Sequence, residues 1–211
     1  MRNIGIICEG PTDYIMLKEI VDRITGENNY YVPLQPEPDL EGKYGNGWKG
    51  VWKWCADHAK DRERYMKDIE PALDALIIQI LPCVGHEDSV NGYIGHLESL
   101  VGKWLGDLCD TCIAVPCDSM EAWIVAAYDE KENVEGVEDP WTNIIAKKKS
   151  YHNIKISGAK KRPKIFQEFV KVVCSNWSKV TELCVSAKRF EDHIVALFSP
   201  PETQISVVED D

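Results

Sequence analysis

Glu9 is the residue of this chain best placed to do chemistry, because it follows the first predicted strand directly. The apolar run at residues 4–8 predicts a buried strand, the breaker pair Gly-Pro at 10–11 ends it, and an amphipathic helix is predicted to begin at 12–13. Ligands of open α/β sheets bind at the carboxyl ends of the strands. Glutamate is a poor turn residue and does not naturally cap a helix that begins three residues later. We therefore expect Glu9 to meet a metal ion or a proton.

Acidic side chains recur after all three strongly predicted strands, at residues 4–8, 73–81 and 112–115. In chain order they are Glu9 and Asp13, Glu87 and Asp88, and Asp118 and Glu121. If these strands are neighbours in a parallel sheet, their carboxyl ends converge, and several carboxylates together favour a hard divalent cation such as Mg²⁺ or Mn²⁺. The alternative is that some of these acids only cap helices, which explains Asp118 and Glu121 at least as well.

The alternation of strands and helices predicts the fold class. With 211 residues the chain can bury one substantial core. The order of elements predicts a single α/β domain over residues 1–199, with a central, mostly parallel sheet of about four strands flanked by helices. Residues 26–50, rich in Gly and Pro, are predicted to be loop, and a single helix is predicted from Trp48 towards Ile69. Residues 200–211 are predicted to form an acidic C-terminal tail.

The composition indicates a cytoplasmic protein. No run of 18 apolar residues predicts a transmembrane helix, and the N-terminus reads directly as strand rather than as an export signal. The eight cysteines are accordingly expected to be reduced thiols. The spacing of Cys109, Cys112 and Cys117 hints at zinc, but a second close Cys/His pair is missing, so zinc is not favoured.

One basic segment stands out from an acidic chain of net charge −11. Residues 147–164 contain eight basic and no acidic residues: Lys147, Lys148, Lys149, Lys155, Lys160, Lys161, Arg162 and Lys164. Such a segment can bind the phosphates of a nucleic acid, and it can equally be a solvated loop. Trp141 beside it is a candidate base contact, whereas Trp52 and Trp104 lie on apolar helix faces and are expected in the core.

Three segments resemble a known family. Residues 4–13 resemble the first motif of Toprim (topoisomerase–primase) domains, a hydrophobic strand followed by Glu-Gly-x-Thr-Asp. Residues 120–123 (Met-Glu-Ala-Trp) and 47–51 (Gly-Trp-x-x-Val) are similar to segments of small standalone Toprim-like proteins related to OLD-type nucleases. The resemblance covers most of the chain. It implies a Toprim-like fold and magnesium-dependent phosphodiester chemistry with Glu9 as general acid/base or metal ligand, and a role in phage defence with an ATPase partner.

One departure from that family leaves two functions open. Toprim domains carry two metal-binding aspartates, Asp-x-Asp, at the end of the strand that follows the first helix. The corresponding strand of this chain is predicted at residues 73–81, and Leu81 and Cys83 take the positions of the two aspartates. Glu87 and Asp88 could replace them, or His86 with a softer metal. The first function is therefore a metal-dependent nuclease acting on DNA or RNA, with Glu9 and Asp13 as its catalytic residues. The alternative is a catalytically degenerate Toprim-like module that binds nucleic acid or protein. A nucleotide or sugar-phosphate enzyme is less favoured, because neither usual Gly-rich phosphate loop is present.

Overall fold

The structure is a computed structural model that describes residues 1–36, 44–81, 90–106, 110–117, 119–129, 134–135, 139–147, 150–156 and 158–199. Its elements in chain order are β1 (Asn3–Ile7), α1 (Pro11–Thr25), β2 (Tyr30–Gln35), α2 (Trp48–Asp57), α3 (Arg62–Asp68), β3 (Ala75–Gln79), α4 (Val90–Leu105), β4 (Thr111–Ala114), α5 (Glu121–Asp129), α6 (Pro140–Ala146), β5 (Ser150–Tyr151), β6 (Ile154–Lys155), α7 (Pro163–Ser175), α8 (Trp177–Leu183) and α9 (Val185–Phe198).

Four parallel strands form the central sheet in the order β2-β1-β3-β4. In the register, Ile6 pairs with Ile77 across β1 and β3, and Ile78 pairs with Ile113 across β3 and β4. The prediction of one α/β domain with a parallel sheet of about four strands flanked by helices is confirmed. Because all four strands run the same way, their carboxyl ends share one edge of the sheet.

The two central strands, β1 and β3, are apolar on both faces because helices cover both. On one face Ile6 and Ile77 pack in a core with α1, α5, α7, α8 and α9. On the other face Ile7, Leu76 and Ile78 pack in a second core with α2, α3 and α4. Burial on both faces explains why the sequence of these strands shows apolar runs rather than alternation.

Three parts of the chain differ from the sequence-based prediction. The region 26–50 contains strand β2, whose Pro33 is tolerated because β2 lies at an edge of the sheet. The single helix predicted from Trp48 towards Ile69 is two helices, α2 and α3, separated at residues 58–61. Helices α6 and α8 and the small β5–β6 hairpin were not predicted.

Two further sequence-based expectations have a structural outcome. No described helix is both long enough and apolar enough to cross a membrane. All the cysteines in the described part of the chain carry free thiols, and most are buried, as expected for small apolar core residues. The predicted tail at 200–211 and the cysteines Cys83 and Cys109 lie outside the described residues.

Candidate functional site

Glu9 lies at the carboxyl edge of the sheet, partly buried between the ends of β1 and β3. Its backbone N–H donates to Gln79 Oε1 at 2.9 Å, and the backbone N–H of Leu81 donates to the Glu9 carboxylate. Gln79 is the last residue of β3 and is buried. These two hydrogen bonds hold Glu9 across the ends of two neighbouring strands.

The N-terminus of α2 holds Glu9 from a third side. The backbone N–H of Gly47 donates to the Glu9 carbonyl oxygen at 2.8 Å, and the backbone N–H of Trp48 stabilises the ionised Glu9 carboxylate, which lowers its pKa. Gly47 has a φ of 77°, in the left-handed region that favours glycine. The positive end of the α2 dipole is thus directed at the Glu9 carboxylate.

The hydrogen bond from Leu81 bears on the departure from the Toprim pattern. In the alignment predicted from the sequence, Leu81 stands where that family would have its first aspartate; in the structure Leu81 supplies a backbone N–H to Glu9. The other predicted ligands cannot be placed: Glu87, Asp88 and Asp118, with His86 and Cys83, lie outside the described residues.

Asp13 and Glu121 bring two more carboxylates to this edge. Asp13 is partly buried in the first turn of α1, and Glu121 is the first residue of α5. Only 1% of the Glu121 side chain is exposed. Its Oε1 pairs with Lys161, whose Nζ lies 2.6 Å away, and its Oε2 has no hydrogen-bond partner among the described residues. The hydroxyl of Ser119, two residues earlier, is likewise buried without a hydrogen-bond partner in the described part of the chain.

The electrostatics show that these side chains form one cluster. Burial raises the pKa of Glu9 to about 7, although the Leu81 N–H and the Lys161 ammonium stabilise its ionised form. Burial also raises the pKa of Asp13 to about 7, and the charges of Glu121 and Glu9 add to this rise. We call Glu9, Asp13, Glu121 and Lys161 the carboxylate cluster. It draws on residues from both halves of the chain.

The ligand atoms in this cluster are hard oxygens, which suit Mg²⁺ or Mn²⁺. Among the described residues, no set of three or more His, Cys, Asp or Glu side chains is arranged to hold one metal ion. These carboxylates could therefore supply two protein ligands at most. Magnesium sites commonly have one or two carboxylates, with water and substrate phosphate completing the shell. The buried Oε2 of Glu121, which has no hydrogen-bond partner among the described residues, is the atom that a cation would satisfy.

Among the basic residues predicted to bind nucleic acid, some form ion pairs within the protein and others are exposed. Lys161 pairs with Glu121, and Lys147 lies 3.1 Å from the carboxylate of Asp129. Lys148 and Lys149 lie outside the described residues. The remaining four, Lys155, Lys160, Arg162 and Lys164, are exposed and form no ion pair with the described part of the chain.

Trp141 contradicts the expectation of a base contact. It is only 6% exposed, its ring packs against Phe166, and its Nε1 donates to the carbonyl oxygen of Ala159 at 2.7 Å. A buried ring cannot stack on a base, so this prediction was wrong. Trp141 instead fixes the backbone two residues before Lys161.

The prediction of a core position also fails for one of the other two tryptophans. Trp52 is 44% exposed, and it meets the partly buried Trp104 edge to face at 6.4 Å between ring centroids. The residue of α2 that fills the core is Trp54.

Two residues of the site were missed in the sequence. Gln79 is the only polar residue in the later part of an otherwise apolar predicted strand, a signal that it has a specific partner. Lys161 gave no signal of its own, because it was one of eight basic residues and its partner Glu121 lies 40 positions earlier in the chain.

Comparisons with models of known protein families, with curated proteins and with solved structures find no match for this chain. The Toprim resemblance therefore remains a hypothesis that rests on the motifs quoted above.

Proposed function

We propose that this chain is a divalent-metal-dependent, nuclease-like domain of the Toprim type that acts on phosphodiester bonds, with the carboxylate cluster as its active site. The observation that carries the proposal is Glu121: a buried carboxylate whose Oε2 has no hydrogen-bond partner among the described residues, beside Asp13 and Glu9 at the carboxyl edge of a parallel sheet. A buried charge is stable only when it is paired or coordinated, and Lys161 supplies a single, half-exposed counter-charge.

Asp13 and Glu121 are the residues that would hold the cation. Of the two other carboxylates in the cluster, Glu121 has the stronger electrostatic effect on Asp13. A bound Mg²⁺ or Mn²⁺ would supply charge stabilisation at the phosphate and a more acidic water. Before a cation binds, the Lys161 ammonium offsets part of the repulsion among the three carboxylates.

Glu9 suits the role of general acid/base. Three backbone N–H groups, those of Leu81, Trp48 and Gly47, hold its carboxylate and its main chain in place. A carboxyl group with a pKa of about 7 can accept a proton from water and return it to a leaving oxygen near neutral pH. Its position at the end of β1 is where α/β folds place reacting groups.

The exposed cations of residues 155–164 support a nucleic acid as the substrate. Four of them have no ion pair among the described residues, so they are available to phosphates. The same segment contains Lys161, which pairs with Glu121. A phosphate backbone bound to this segment would therefore lie next to the carboxylate cluster. A cytoplasmic role in phage defence, with an ATPase partner, is proposed from the resemblance alone.

A second function has an observation of its own. Leu81 offers a backbone N–H where a Toprim enzyme would have a metal-binding aspartate, and the described residues contain no three-ligand group. Both facts favour a catalytically degenerate module that binds nucleic acid or protein without cleaving it.

The deciding experiment is a cleavage assay with end-labelled single- and double-stranded DNA and RNA in Mg²⁺, in Mn²⁺ and in EDTA. We expect metal-dependent hydrolysis that falls about 10²- to 10⁴-fold in Glu9→Gln and in Glu121→Gln. Glu182→Gln, an exposed glutamate on α8, is the matched control and should cleave normally. Full activity of Glu9→Gln would refute its assigned role. A parent protein that binds nucleic acid but cleaves none of these substrates with either metal would establish the binding module instead.

A further inference from the structure

Helix α2 presents two tryptophans and two lysines to the outside of the protein, immediately next to Glu9. Trp48 and Trp52 are one turn apart, as are Lys49 and Lys53, so each pair shares a helix face. Trp48 is partly exposed, and the other three side chains are exposed. We call this surface, with Trp104 and Lys103 of α4, the tryptophan strip.

The strip is continuous across two helices. Helices α2 and α4 pack against each other, and the Trp52 and Trp104 rings meet edge to face. Lys103, next to Trp104 in the chain, is exposed. Lys49 Nζ lies 5.6 Å from the centroid of the Trp48 ring, a cation–π contact. Three aromatic rings and three cations therefore share one surface.

The lysines of this strip are not neutralised by the described part of the chain. Lys49, Lys53 and Lys103 make no ion pair with any described residue. On a protein of net charge −11, these three lysines beside one exposed and two partly exposed indole rings form a local positive surface. Aromatic faces beside free cations are the combination that binds unpaired bases and their phosphates together. An apolar protein partner would explain the rings but not the unpaired lysines.

The strip also touches the candidate active site. The backbone N–H of Gly47, the residue before Trp48, donates to the Glu9 carbonyl oxygen at 2.8 Å, so the first ring of the strip begins at the catalytic edge. The segment 155–164 packs on the other face of the sheet, and its Lys161 lies at the same carboxyl edge, where it pairs with Glu121. The carboxylate cluster thus lies between two positive surfaces.

From these observations we infer that the tryptophan strip binds single-stranded nucleic acid, whose bases stack on Trp52 and its neighbouring rings and whose backbone then crosses the carboxylate cluster. This inference rests on the proposed function and narrows it to a single-stranded substrate. The bases of a duplex are stacked on each other and paired, so their faces are not available to Trp52.

The test is fluorescence anisotropy with a labelled 12-nucleotide single strand, as DNA and as RNA, and with the corresponding duplex, at low salt in EDTA so that nothing is cleaved. We expect the single strand to bind at least tenfold more tightly than the duplex. Trp52→Ala should weaken single-strand binding about tenfold, which is the loss of one stacked base, and leave duplex binding unchanged. Trp52→Phe keeps an aromatic face and should bind within about threefold of the parent.

Tyr30→Ala is the matched control, because Tyr30 is 52% exposed and is the first residue of β2. It therefore lies at the amino ends of the strands, away from the carboxyl edge of the sheet. This variant should bind like the parent. Equal affinity for duplex and single strand, or a Trp52→Ala variant that binds normally, would overturn the inference. So would a parent that binds no single strand at all. Because binding is measured without metal, failure here is distinct from a failure to cleave.

Discussion

The raised pKa of Asp13 predicts a pH-dependent loss of stability that one substitution should remove. The carboxyl group has an ordinary pKa of 3.8, and in the folded protein the pKa rises to about 7. Between these values the folded state binds more protons at this site than the unfolded state does. The stabilising contribution is therefore fully present below about pH 4, and it is lost as pH rises through the folded pKa.

The magnitude follows from the shift. Each pKa unit corresponds to 1.36 kcal/mol, so a shift of roughly three units corresponds to about 4 kcal/mol at pH 8. The Asp13→Asn variant cannot ionise and keeps the shape of the side chain. Allowing for relaxation around the charge, we expect it to be about 3 kcal/mol more stable than the parent at pH 8 and about equally stable at pH 4. The difference should grow by up to about 1.4 kcal/mol per pH unit between these limits.

The measurement is urea unfolding of both proteins from pH 4 to pH 8.5 in EDTA, followed by tryptophan fluorescence. Asp68→Asn is the control, because Asp68 is exposed and forms only an i,i+4 pair with Arg64, so its effect should stay within about 0.5 kcal/mol. Replacing the EDTA with Mn²⁺ at pH 8 should stabilise the parent and narrow the gap to Asp13→Asn, because a cation would compensate the ionised cluster. An Asp13→Asn variant that is less stable than the parent at pH 8 would refute this account of the cluster.

Two further predictions concern the surroundings of the site. In Gly50→Ala the new Cβ would lie 2.3 Å from the backbone oxygen of Gly45, so we expect a loss of at least about 1–3 kcal/mol in urea unfolding. Gly95→Ala, a helical position where the Cβ meets nothing within 4 Å, should instead stabilise by about 0.5–1 kcal/mol. Lys160→Glu should weaken nucleic-acid binding equally across sequences and lower its salt slope by about 1 in gel-shift titrations, whereas Lys67→Glu on α3 should do neither. If both reversals weaken binding alike, net charge rather than the segment at 155–164 governs affinity.

The local sequence determined three of the four strands of the sheet and the position of Glu9. The apolar runs before Glu9 and before Leu81 predicted central strands, because a strand buried on both faces leaves few polar positions. The Gly-Pro pair after Glu9 predicted the turn into α1. These properties depend on neighbouring residues, so sequence patterns contain them. Strand β2 was missed because Pro33 argues against a central strand, and only the tertiary structure shows that β2 lies at the edge.

The tertiary structure alone decided which side chains meet and which are exposed. Trp52 and Trp54 look alike in an apolar helix, yet α2 packs on Trp54 and leaves Trp52 outside, since the orientation of a helix depends on the elements it covers. Trp141, beside a basic segment, is buried because α7 packs against it. Lys161 and Glu121 form an ion pair that spacing along the chain could not reveal. Contacts between distant parts of the chain are made by packing. Packing also removes water from the carboxyl edge of the sheet, and this burial raises the pKa of Glu9.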